Sequence, residues 1–218
     1  MTDSRTKEPL GETCKAHLME CYIEQVYKRR KDFTNKYIER GIACEEDSLT
    51  LYSRVMKEFF KKNKQTFSND FLCGTPDILT TDDVIEIKTS WDIFTFHSVI
   101  HKAINKDYFW QVQAYMELAE RQRAKLVYCL VDATPEMVED AKKKLMWQFN
   151  TIDRTAIELN PEYTEACAEV DKAMTFGDIP IEERYLQITI DREPEAMRKA
   201  HVRIQECREF LTKLTEPK

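Results

Sequence analysis

The spacing of apolar and polar positions along the chain follows two periods. From Lys15 to about Phe60 apolar residues recur at helical spacing, and an interruption is expected near Arg40-Gly41. Residues 67–89 read as a β-hairpin: Val84, Ile85 and Ile87 supply β-branched content, and Thr80-Thr81-Asp82-Asp83 supplies turn chemistry. Helical spacing returns over Asp107–Gln122 through Phe109, Val112, Met116 and Ala119, and the apolar run Leu126–Val131 predicts a buried strand. A helix is expected from Pro135 to about Phe149, N-capped by Thr134. Asn150–Gly177 predicts a helical excursion, Tyr185–Ile190 a strand and Glu193–Leu214 a terminal helix. Helices and strands alternating behind an early hairpin predict an α/β (α+β) fold with a small central mixed β-sheet flanked by helices.

Length and composition narrow the class. At 218 residues and 42% hydrophobic content the chain is read as a single domain, 1–218. With four glycines and seven prolines it has no obvious flexible linker. Seven cysteines without a CxxC pair argue against a disulfide framework and a zinc ribbon, and suggest reduced thiols. The polar N-terminus and the lack of a long apolar run predict a soluble cytoplasmic protein with no membrane partner. A net charge of −6 disfavours a general nucleic-acid coating, so a polyanion must meet a local patch. Candidates are Lys28-Arg29-Arg30-Lys31, Lys57 with Lys61, Lys62 and Lys64, and Lys142-Lys143-Lys144, each of which also reads as a solvated helix face.

The hairpin carries the chemistry. Alternate strand residues share a face, so Glu86 and Lys88 point the same way as Val84, and Asp77 at the end of the paired strand reaches the same edge. Converging carboxylates suit a hard cation such as Mg²⁺, and Lys88 beside it could position or deprotonate a water. A surface Glu/Lys pair is the bland alternative. Upstream, Ile38, Ile42, Leu49, Tyr52, Met56 and Phe59 form an apolar stripe; Glu45 falls inside it, Glu46 at its margin and Asp47 outside. A core-side acid is explained either as a third oxygen ligand or by a buried arginine. Gln111 and Tyr115, four apart, share one helix face. His97 and His101 have helical ligand spacing but no legible third ligand. Trp91, Phe94 and Phe96 fit core or an aromatic stacking platform, core being favoured. Lys102, Lys106 and Arg121 or Arg123 are further candidates for phosphate contacts.

Four segments, in this order, carry a resemblance: RGIACEEDSLTLY with Gly41 and Glu45, GTPD with Asp77, EIK with Glu86 and Lys88, and QVQAY from Gln111 to Tyr115. Together, over about residues 40–132, they resemble the PD-(D/E)xK nuclease superfamily, in its RecB-like and phage lambda-exonuclease-like branch of viral recombinase, YqaJ type. The segment from Tyr185 to Leu214 is similar in style to the closing strand and helix of phage-type members. The resemblance implies a restriction-endonuclease-like core and Mg²⁺- or Mn²⁺-dependent phosphodiester hydrolysis. It implies Asp77, Glu86 and the Ile87 carbonyl as metal ligands, with Glu45 joining directly or through water, and Lys88 orienting the nucleophile. Gln111 and Tyr115 would hold the lysine or the DNA backbone. DNA, most naturally duplex ends, is the implied partner, with a single-strand annealing recombinase and a homo-oligomer beside it. An endonuclease and a catalytically silent DNA-binding module are the rival readings. Cys129, Cys167 and Cys207 lie too far apart in sequence for the iron–sulfur cluster of some relatives, so none is expected. No Walker-type GxxxxGK[ST] occurs, so any motor would be a separate chain.

Overall fold

A computed structural model of the chain describes residues 9–31, 35–149 and 157–215. The N-terminal segment before residue 9 and the start of the predicted excursion, residues 150–156, lie outside the described residues.

The leading helical run is three helices, α1 (Glu12–Tyr27), α2 (Lys36–Ala43) and α3 (Glu45–Met56). The interruption expected at Arg40-Gly41 falls instead at Lys28 and at Cys44. Lys28 closes α1 in the left-handed region at φ 56°, where four consecutive cations disfavour further helix. Asn35 then starts α2, its side chain accepting from the backbone N–H of Tyr37 and Ile38. Cys44, fully buried and non-helical at ψ 11°, redirects the chain into α3, which stops where Lys57 adopts φ 53°. The break at Cys44 also corrects the apolar stripe. Tyr52 is core and Leu49 packs against it, whereas Ile42 is 71% and Phe59 87% exposed.

The expected hairpin is two. β1 (Phe67–Ser68) pairs with β2 (Cys73–Gly74), the turn between them held by the Asn69 side chain accepting from Phe71 and Leu72 N–H. β3 (Ile78–Leu79) pairs with β4 (Asp83–Thr89) through a turn in which Thr80 N–H donates to the Asp83 carbonyl. The four-stranded sheet runs β3-β4-β5-β6, with β5 at Arg123–Cys129 and β6 at Tyr185–Asp191. Only β4 and β5 are parallel, so a crossover must join them. That crossover holds α4 (Ile93–Ser98) and α5 (Lys106–Leu118). Beyond the sheet lie α6 (Pro135–Gln148), whose N-cap is Thr134, α7 (Pro161–Met174) and α8 (Pro194–Thr215).

The sheet buries both faces. Val84, Ala124, Leu126 and Ile190 pack with Val112 and Met116 of α5, and Phe96 of α4 joins them. Ile85, Val127 and Cys129 pack on the other face with Leu51 and Tyr52 of α3. Each fully buried aliphatic or aromatic side chain contributes about 1.5–3 kcal/mol, so both helices are held at defined heights on the sheet. This is the mixed α/β architecture expected from the sequence, with the catalytic-strand candidate β4 at its centre. Among the described residues no helix is long and apolar enough to cross a membrane.

Candidate active site

Strand alternation puts Val84, Glu86 and Lys88 on the α5 side of β4, and Ile85 and Ile87 on the α3 side. The pairing of Ile78 with Ile85 places Asp77 opposite Glu86, and Asp77 Oδ2 accepts from Ile87 N–H at 2.8 Å. Glu86, 3% exposed, accepts at Oε1 from Lys88 Nζ at 2.6 Å. Its other oxygen, Oε2, is buried with no hydrogen-bond partner. Lys88 Nζ also donates to Gln111 Oε1 at 2.9 Å and stands 4.5 Å from the Tyr108 ring centroid. Gln111 Nε2 in turn donates to the Tyr115 hydroxyl at 3.1 Å. The two α5 residues at helical spacing thus continue a polar chain that starts on β4.

The electrostatics follow from burial. Glu86 is pushed up to about 7, chiefly by desolvation and next by the negative charge of Asp77, with Lys88 opposing both. Asp77 is also raised by burial, against the Ile87 N–H and the Lys88 charge. Two carboxyls that resist ionising together are a site short of positive charge. Tyr115 is raised as well, by burial first.

Glu45 opens α3 and lines the same cleft of about 410 Å³ as Asp77, Glu86, Ile87, Lys88 and Tyr108. Its partner is not the buried arginine considered from the sequence but Lys62, whose Nζ donates to Glu45 Oε2 at 2.6 Å. With Glu45 so engaged, no three carboxylate, imidazole or thiol groups among the described residues form a ready metal cage. The donor set still suits a hard cation: oxygen atoms from Asp77 and Glu86, the Ile87 backbone at the same cleft, and an orphaned Glu86 oxygen.

Sequence reasoning missed several groups. Arg40 is 2% exposed, donates from Nη2 to the Val131 carbonyl at 3.0 Å and leaves Nε without a partner. Ser48, fully buried, shares a 2.8 Å hydroxyl bond with Thr89, one residue past Lys88, and its carbonyl accepts from the Cys129 thiol at 3.5 Å. A polar residue on the apolar face of α3 was the available signal. Gly74 leaves room for the Tyr115 ring: a Cβ there would stand 2.4 Å from Cε1.

The other candidates disperse. Lys102 lines a neighbouring cavity and donates to Ser98 Oγ at 3.3 Å, while Lys106 is exposed at the start of α5. Arg121 bonds the Thr80 and Ala119 carbonyls, and Arg123 pairs with Asp83 at the far end of β4. Phe96 is core, but Phe94 is 81% exposed; Trp91 packs edge-on against Tyr37 with ring centroids 5.1 Å apart. His97 and His101 are exposed.

This fold is also that of solved phage-related and alkaline exonucleases. A phage-related exonuclease from Haemophilus somnus 129PT superposes with a TM-score of 0.72 at 21% identity, covering 98% of this chain and 89% of that one. The alkaline exonuclease LHK-Exo from Laribacter hongkongensis gives 0.62 at 14% identity, with 97% and 84% covered. Its complex with dAMP gives 0.60 at 13%, with 91% and 80% covered. No curated protein matches the sequence. Residues 1–122 match the YqaJ-like viral recombinase domain, and the chain belongs to that family.

Proposed function

We propose that the protein is a metal-dependent DNA nuclease of the PD-(D/E)xK type, acting as an exonuclease on DNA ends in phage-type recombination or repair. The observation that carries this reading is Lys88 Nζ, held between Glu86 and Gln111 beside a carboxyl oxygen that has no partner. Family membership and the exonucleases of like fold support it.

Asp77, Glu86 and the Ile87 carbonyl would hold Mg²⁺ or Mn²⁺, with Glu45 directly or through water. When bound, such an ion polarises the scissile phosphate and lowers the pKa of water. The chain's own groups do the positioning. Lys88 offers its ammonium to the attacking water and to the phosphate oxygens that gain charge. Gln111 fixes that ammonium from α5, and Tyr115 fixes Gln111. Four fifths of the Lys88 side chain is out of solvent, which strengthens its field.

The test compares end-labelled linear duplex with covalently closed circular DNA, with and without Mg²⁺, using wild-type protein and Lys88→Ala. Mg²⁺-dependent loss of the linear substrate alone, slowed about a hundredfold or more by the substitution, is expected. Cutting of the circle would replace the exonuclease by an endonuclease. DNA binding without cleavage under any metal would leave a binding module.

A further inference from the structure

Lys62 lies in the segment between α3 and β1, its side chain 34% exposed against 35% for Glu45. That segment is built onto the site. Asn63, next in the chain, donates its N–H to the Asp77 carbonyl at 2.7 Å and its side-chain amide to the Pro76 carbonyl at 3.0 Å. The stretch that holds Lys62 in reach of Glu45 is therefore tied by hydrogen bonds to the one that carries Asp77.

Lys88, which lines the cleft, and Lys62, which pairs with Glu45 at its edge, are held differently. Lys88 is 20% exposed, has two acceptors and lies over an aromatic ring. Lys62 has Glu45 as its hydrogen-bond and ion-pair partner and a third of its side chain in solvent. Lys57, Lys61 and Lys64 around it are exposed. Glu45 cannot serve a divalent cation and Lys62 together without placing like charges side by side.

We propose that Lys62 is a positioning residue that exchanges partners: it occupies Glu45 in the metal-free protein and turns to a DNA backbone phosphate once Glu45 engages a divalent cation. This rests on the reading of Glu45, Asp77 and Glu86 as cation ligands. The exchange makes cation and DNA binding cooperative, because each occupies what the other would leave unpaired.

Calorimetric titration of the full chain with Mn²⁺, without DNA, is the first arm. Lys62→Met binds Mn²⁺ about three- to tenfold more tightly than wild type, since its competitor is gone; Lys62→Arg keeps wild-type affinity. The second arm measures duplex binding by fluorescence anisotropy across salt concentrations, with Ca²⁺ or with chelator. Lys62→Met lowers the slope of log Kd against log salt by about 0.9, one phosphate contact, with Ca²⁺ only. Glu45→Gln, which frees Lys62 without metal, raises the chelator slope by the same amount. No Mn²⁺ binding by wild type overturns the underlying reading and the proposal with it. Wild-type binding with unchanged affinity in Lys62→Met, or an equal slope loss with and without Ca²⁺, overturns the proposal alone.

Discussion

Replacing Glu86 by glutamine turns the buried carboxyl into a permanently neutral group and exposes how much its ionisation costs the fold. In the folded protein Glu86 titrates at about 7 against an ordinary 4.5. Between those values the folded state binds the extra proton. Stability from this group is therefore complete below 4.5 and is lost as pH rises through about 7. At 1.36 kcal/mol per unit the whole effect is on the order of 3 kcal/mol, and most of it falls between pH 5 and 8. Urea unfolding of wild type and Glu86→Gln, in chelator to keep cations away, reads the difference directly. The stability of the variant relative to wild type should increase by roughly 2 to 3 kcal/mol from pH 5 to pH 8. A difference constant to about 0.5 kcal/mol over that range would show that Glu86 is not desolvated as described, and the charge-deficient site would lose its basis.

Three more outcomes follow from the same geometry. Mn²⁺ affinity, measured by calorimetry at pH 6, 7 and 8, should fall about tenfold per unit below pH 7, because Glu86 must release its proton to ligate. Gly74→Ala pushes a methyl into the Tyr115 ring; it should cost about 1–3 kcal/mol in thermal or urea unfolding and slow any cleavage. Tyr115→Ala in the same chain should recover most of that stability, as a double-mutant cycle reveals. Asp83, 4% exposed, ties Arg123 at 2.5 Å and Lys125 at 2.8 Å to the start of β4. Asp83→Ala should destabilise by about 2 kcal/mol while leaving Mn²⁺ affinity unchanged.

Strand β4 and its turn were legible because β-branched residues and a Thr/Asp cluster are local signals, and the register that brings Asp77 to Glu86 follows from the turn length. Helix α5 was legible from its spacing, and with it the shared face of Gln111 and Tyr115. The first helices were less so. Lys28 and Lys57 adopt left-handed backbone without glycine, which no local pattern announces. The stripe through Ile38 and Ile42 looked like core, yet both residues are wall of the open cleft, because Cys44 resets the helix direction before Tyr52 enters the core. Glu45 was singled out by a phase argument that crossed this break; its partner is a loop lysine, a contact between residues 17 apart that periodicity cannot show.

The hydroxyl bond between Ser48 and Thr89 works as a fulcrum. On one side of it, three residues back along α3, stands Glu45; on the other, one residue back along β4, stands Lys88. Most of the candidate site rides on the sheet and α5, but Glu45 rides on a helix from the opposite layer. A hydroxyl pair worth about 1 kcal/mol therefore adds a polar tie, next to the cleft, to the alignment that Leu51 and Tyr52 set by packing on the sheet.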